Sequence, residues 1–200
     1  MSSTLPDYRP QRENDSEARP AAHALVPPVG AEQQGFSSLD FRRTMGRFAT
    51  GVTVVSMLAE DGTVEPPRAR PFGITVNAFM SVSLEPPLIA VSIDKSAHAH
   101  ATLRSAERFA VSVLEEGQRN LSDYFAGRRV DPGRDPFVEF AGFPVVDGAV
   151  AHIVCRSHDA FEAGDHTIFI GEVTALRQAE GRPLIFHAGV YDRLGAPQSR

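Results

Sequence analysis

From Gly73 to Leu88 the chain reads Gly-Ile-Thr-Val-Asn-Ala-Phe-Met-Ser-Val-Ser-Leu-Glu-Pro-Pro-Leu, and its apolar and polar positions alternate almost without interruption. A period of two marks an extended strand with one face in a core. Ile74, Val76, Ala78, Met80, Val82 and Leu84 fall on one face, which is expected to be the buried one. Thr75, Asn77, Phe79, Ser81 and Ser83 fall on the other. A face that merely met water would more often carry Lys, Glu, Arg or Gln. Short hydroxyls and an amide on a rigid strand suit a flat, neutral ring with polar edges, pressed close to the backbone. A Thr/Ser-rich strand facing solvent satisfies the same pattern, since β-propensity favours Thr in any case.

The rest of the chain is read around this strand. Ser37 is placed as a helix N-cap with Asp40 three residues on, followed by Phe41, Met45, Phe48 and Ala49 at helical spacing and Gly51 as the stop. Val52 to Leu58 reads as a strand that ends in an Asp61-Gly62 turn. The run Leu88-Ile-Ala-Val-Ser-Ile93 barely alternates and is expected to be buried on both faces. Ser96 is placed as the cap of a short helix through Ala106, Phe109 to Leu114 as a strand, and Leu121, Tyr124 and Phe125 on one face of a helix stopped by Gly127. Two long strands, Ala149 to Phe161 and His166 to Leu176, flank the turn Glu162-Ala-Gly-Asp165, and Pro183 to Tyr191 supplies a last strand. Strands dominate, and the few helices do not alternate with them. A parallel doubly wound sheet is therefore disfavoured against a mainly β fold, an antiparallel barrel with peripheral helices.

Two hundred residues with 42% hydrophobic content build one domain with a real core. Residues 1–35 are rich in Pro, Ser, Arg, Glu and Ala without apolar periodicity and read as a disordered tail, residues 36–194 as the domain, and 195–200 as a short C-terminal tail. The net charge of −5 argues against a nucleic-acid partner, because phosphate binding needs a concentrated basic face. No apolar run approaches the ~20 residues that span a bilayer, and no secretory leader is legible. Cys155 is the sole cysteine, so no intramolecular disulfide forms and a cytoplasmic location is expected.

No G-x-G-x-x-G follows a strand and no G-x-x-x-x-G-K-[ST] occurs, so neither common phosphate cradle is available. The best anion site is Asp94-Lys95-Ser96-Ala97, where a buried strand ends and a helix opens. An ordinary capped helix beside a solvated lysine would read the same way. Lys95 is the only lysine in the chain. His152, Cys155 and His158 look like a metal cluster, but on a strand the cysteine points away from both histidines. His98 and His100, about 200° apart on a helix, do not converge either. No metal site is expected. His166 follows Gly164-Asp165 at a strand start, where a titratable ring would stand at a pocket mouth. No G-x-S-x-G elbow supports a nucleophilic triad.

Five segments taken together, Phe41-Arg-Arg-Thr-Met-Gly-Arg-Phe-Ala-Thr-Gly-Val-Thr-Val-Val55, Gly73 to Leu88, Asp94-Lys-Ser96, Gly164-Asp-His-Thr-Ile-Phe-Ile-Gly-Glu-Val173 and Pro183-Leu-Ile-Phe-His187, resemble the short-chain flavin reductases that serve two-component monooxygenases. The resemblance covers residues 36–194 in matching order. It implies an FMN-binding split β-barrel, usually a homodimer, that reduces FMN, FAD or riboflavin with NADH or NADPH and passes reduced flavin to a partner monooxygenase. It assigns Thr75, Asn77, Ala78, Ser81, Val82 and Ser83 to the isoalloxazine and ribityl chain, Ser92, Asp94, Lys95 and Ser96 to the phosphate end, Phe125 to the flavin border and His166 to the nicotinamide. Val190 departs from the pattern, since members often carry Arg before the residue matching Tyr191. Two other readings share the ring-binding surface: a flavoprotein oxidase of the pyridoxamine phosphate oxidase type, and a flavin-binding module without catalysis.

Overall fold

The computed structural model describes residues 35–61 and 68–195. In chain order the elements are α1 (Ser38–Met45), β1 (Thr50–Gly51), β2 (Thr53–Asp61), β3 (Arg68–Val76), β4 (Phe79–Leu84), β5 (Pro87–Asp94), α2 (His98–Ser105), β6 (Arg108–Val113), α3 (Arg119–Phe125), β7 (Phe137–Phe140), β8 (Phe143–Val146), β9 (Ala151–Ala163), β10 (His166–Gln178), β11 (Ile185–His187) and β12 (Val190–Asp192). The expected tail before residue 35, the Gly62 half of the first hairpin turn and the end of the chain beyond Gly195 lie outside the described residues.

Seven strands form one antiparallel sheet in the order β3-β2-β6-β9-β10-β5-β4. Its two edge strands, β3 and β4, are consecutive in the chain and separated only by Asn77 and Ala78. So short a link between opposite edges rolls the sheet round until the edges meet at that corner, where the Ser92 amide donates to the Ala78 carbonyl at 3.0 Å. The result is a mainly β barrel, split between β3 and β4. Inside it lie Val55, Met57, Val91, Ile93, Phe109, Val111, Cys155 and Phe169, with Ala99 and Leu103 of α2 plugging one end. Burying each large apolar side chain contributes roughly 1.5–3 kcal/mol. The outer face is covered where Phe125 of α3, Val146 and Leu184 pack on Val52, Val54 and Leu114. Strands covered on both sides lose their alternation: Val54 and Val55 are both fully buried, and of the Leu88–Ile93 run expected to be buried on both faces Ile89, Ala90, Val91 and Ile93 are buried while Leu88 and Ser92 are half-buried.

Several expectations about elements need correction. The Gly73–Leu88 segment is two strands, not one, and the parity of its faces inverts at the Asn77-Ala78 corner. Phe72, Ile74 and Val76 point into the core before the corner, and Phe79 does so after it. Met80, Val82 and Leu84, expected in the core, are therefore exposed, Leu84 at 91%. Ser37 caps α1 with the expected box, its hydroxyl accepting from the Asp40 amide while Asp40 accepts from the Ser37 amide. The helix nevertheless stops at Gly46, because Thr50 and Gly51 pair with Phe186 and Ile185 and pull the chain straight. The last strand is a hairpin, β11–β12, turning at Ala188-Gly189 with φ of 51° and 83°. A second hairpin, β7–β8, turns at Ala141-Gly142 in the same way and had no counterpart in the sequence reading.

Candidate active site

A cleft of about 740 Å³ opens between β3, the first turn of α2 and the end of α3. Its floor is Gly73, Ile74 and Thr75, and one wall is Phe125. The close approach requires glycine: a Cβ on Gly73 would meet Cδ1 and Cε1 of the Phe125 ring at 2.8 Å. Phe125 is held from behind by Phe137 and Tyr124, at centroid separations of 5.3 and 5.0 Å. Thr75 fixes α3 against the sheet by donating its hydroxyl to the Ser122 carbonyl at 2.6 Å. From the other side the Tyr191 hydroxyl donates to Asp123 and meets Ser122 Oγ, both at 2.9 Å, and Arg128 pairs with Asp123 at 2.7 Å. The cleft wall is thus rigid, flat and mostly apolar. Its size lies within the range of small-molecule and cofactor sites, and a planar ring system fits it.

Just before α2 in the chain lies a charged corner. Asp94 ends β5 and His166 opens β10, and the two are directly opposite in the register. Asp94 Oδ1 accepts from the Ser96 amide at 2.7 Å and its hydroxyl at 2.8 Å, bonds that hold its carboxyl below the usual carboxylate range. Lys95 is clamped by backbone and side chain, its amide donating to the Asp165 carbonyl at 2.9 Å and its ammonium to the Gly164 carbonyl at 2.8 Å. The same ammonium lies 2.6 Å from Glu162, whose other oxygen takes Arg104 at 2.6 Å. His166 Nδ1 donates to Asp165 at 2.7 Å, which lowers the Asp165 pKa and leaves Nε2 turned away from that carboxylate.

The sequence-expected site residues divide accordingly. Thr75 and Phe125 line the cleft; Asp94, Lys95, Ser96 and His166 form the corner. Ser92 is half-buried beside it, opposite Ile168. Asn77 and Ala78 are exposed at the strand break, and Ser81, Val82 and Ser83 run along the edge strand β4 rather than into the cleft. Ser96 is not the helix cap: Ala97 holds that place without a side-chain bond, because the Ser96 hydroxyl is committed to Asp94. Sequence reasoning missed His98 and Arg128, which border the cleft, and the Arg104–Glu162 pair. Only tertiary folding brings α2 beside the β9–β10 turn, so local sequence carried no signal for that pair. Cys155 and His152 occupy separate environments. The thiol is in the barrel interior, where burial pushes its pKa up to about 12 and keeps it inert. The imidazole donates from Nε2 to the Val146 carbonyl at 2.7 Å. Among the described residues no three His, Cys, Asp or Glu side chains converge as a metal site, and no helix is long and apolar enough to cross a membrane.

Comparison with known proteins covers most of the chain. The flavin reductase like domain matches residues 45–195. The chain belongs to that family. Among the flavin reductases it is similar to are an NADH-dependent FAD reductase of Streptomyces globisporus, 41% identical over 78% of this chain and 85% of that one, and an NADH FMN reductase of Agrobacterium fabrum, 40% identical over 87% and 92%. Its backbone superposes on the flavin reductase of a styrene monooxygenase from Pseudomonas putida S12 with a TM-score of 0.70 at 36% identity, covering 80% of this chain and 99% of that one.

Proposed function

We propose that this chain is an NADH-dependent flavin reductase, carried by one domain over residues 36–194, that reduces free FMN or FAD and releases it for a partner monooxygenase. The observations that carry this reading are the mostly apolar cleft beside Phe125, bordered by Ala97, His98 and Ala99 at the start of α2, and the polar corner just before that helix, where Lys95 follows Asp94 and Asp94 pairs with His166. The relatives, NADH-dependent reductases of FAD and FMN and the reductase of a monooxygenase, support the donor, acceptor and partner.

Bound flavin supplies the two-electron acceptor. The protein supplies position. Gly73 and Phe125 give the ring an apolar surface, and the Thr75–Ser122 hydrogen bond ties the helix that carries Phe125 to the sheet. Lys95, with Ser96 beside it, holds the phosphate end by charge-assisted contact. Asn77, Ala78 and Ser81 to Ser83 lie along the split outside the cleft, and their backbone and hydroxyl groups serve the part of the flavin that extends past it. His166, its Nδ1 engaged by Asp165, presents Nε2 to orient the nicotinamide. No protein nucleophile is needed, because donor and acceptor carry the reaction between them.

A second copy completes the reading. Met80, Val82 and Leu84 expose one apolar face of an edge strand, and α1 buries none of its residues although Leu39, Phe41 and Met45 are each 53% exposed. Edge strands and apolar faces of this kind are ordinarily covered, and a symmetric dimer covers both. Steady-state NADH oxidation by flavin-stripped protein, with FMN, FAD or riboflavin added in turn, tests the function. Turnover is expected only when flavin is present, and equal NADH oxidation without it would reject the reading.

A further inference from the structure

The corner expected to take the flavin phosphate already holds an anion from the chain itself. Glu162, next to last in β9, reaches Lys95 Nζ with Oε2 at 2.6 Å and Arg104 NH1 with Oε1 at 2.6 Å. Its two oxygens thus span two cations that come from separate elements, the end of β5 and the last turn of α2. The Lys95 ammonium also donates to the Gly164 carbonyl at 2.8 Å, so a ligand drawing it away must replace that bond as well as Glu162. Solvent does reach the pair, since both side chains are 40% exposed. Asp94 and Asp165 flank the same corner, so two cations face three carboxylates, Arg42 acting on Asp94 from farther off. A phosphate arriving here enters an anionic neighbourhood and finds its cations taken.

Resting on the flavin-reductase reading above, we propose that Glu162 is a specificity-determining residue that competes as a carboxylate with the flavin phosphate for Lys95 and Arg104. The competition loosens FMN and FAD relative to riboflavin, which carries no phosphate. It also gives the cation pair a partner whenever no flavin is bound, so flavin departure leaves neither cation unpaired. Hydrogen bonds from Lys95 and Arg104 hold the Glu162 carboxyl at about 2, so the competitor stays ionised across neutral and mildly acidic pH. Arg104 becomes a second phosphate ligand once Glu162 lets it go.

The test titrates wild type, Glu162→Gln, Glu162→Asp and Lys95→Ala with riboflavin, FMN and FAD by flavin fluorescence. Glu162→Gln should bind FMN and FAD about tenfold more tightly, the size of one charge-assisted contact, with riboflavin within twofold. Glu162→Asp, too short to span both cations, should fall between. Because Lys95 is the only lysine, a [13Cε]lysine label gives one side-chain NMR signal in the unmodified protein. FMN should shift it and riboflavin should leave it in place. Weaker or unchanged FMN binding in Glu162→Gln, alongside a phosphate-selective loss in Lys95→Ala, would overturn the role of Glu162 and leave the site reading intact. An unchanged FMN-to-riboflavin ratio in Lys95→Ala would remove the phosphate from this corner and overturn the proposal with it. NADH oxidation with riboflavin alone, which needs no phosphate contact, reports separately whether the chain is a reductase.

Discussion

At the scale of single residues, substitutions at three positions around the site are expected to fail in three different ways. Lys95→Ala removes a charge-assisted contact worth ~1.5–3 kcal/mol, so FMN and FAD should bind ~10- to 150-fold more weakly while riboflavin is nearly unaffected. His166→Ala should spare flavin binding and raise the apparent KM for NADH or slow flavin reduction in stopped flow, since its Nε2 acts only when the second substrate stacks. Unaltered nicotinamide kinetics would return His166 to a structural role. Gly73→Ala differs from both, because its new Cβ would sit 2.8 Å from the Phe125 ring and drive that ring into the cleft. Overpacking of this kind costs about 1–3 kcal/mol. Riboflavin, FMN and FAD should therefore lose affinity together, having the ring in common, and retention of all three affinities would show that the ring lies elsewhere.

At the scale of elements, the β7–β8 hairpin is fastened to the barrel by a histidine that must be neutral. His152 donates from Nε2 to the Val146 carbonyl at 2.7 Å and accepts from Arg177 Nε on Nδ1 at 3.2 Å, while the Arg177 guanidinium lies over the Phe140 ring at 4.6 Å. Burial is the chief cause that pushes its pKa below the ordinary 6.5, with the Arg177 charge adding to it and the Val146 bond and Asp147 opposing. A depressed imidazole binds its proton less readily folded than unfolded. Stability from this group is thus complete above pH 6.5, falls as the pH drops below that value, and levels off below the folded pKa. His152→Gln can donate to Val146 and accept from Arg177 without titrating. Its melting temperature should match wild type near pH 7.5 and fall less between pH 7 and 5; parallel slopes would refute the fastening role. The hairpin matters to the site because Phe137, its first residue, backs the Phe125 wall.

At the scale of the molecule, the exposed face of β4 and the uncovered α1 make dimerisation the expected state. Placing charge on that face through Met80→Glu with Val82→Glu should leave the barrel interior untouched, since both side chains point outward, and should shift sedimentation at micromolar concentration to the mass of one chain. A wild-type protein that already sediments as one chain would count against the dimer.

How much of this was legible in the sequence depended on the range of the forces concerned. The Ser37–Asp40 box, the buried middle of β5, the long β9–β10 hairpin and the placement of Asp94 and His166 at strand ends, with Lys95 just past the first, all follow from neighbours within a few residues. Local chemistry and hydrophobic period report on such neighbours directly. The sequence also carried five motifs in family order, enough to name the chemistry. What it could not carry was the inversion of faces at Asn77-Ala78, which turned Met80, Val82 and Leu84 outward, because a period of two continues on paper through a corner that only sheet closure imposes. Nor could it show that Glu162 stands on Lys95 and Arg104, 67 and 58 residues away along the chain. Those contacts exist only because β5, α2 and the β9–β10 turn meet at one end of the barrel, where separation in sequence no longer measures distance.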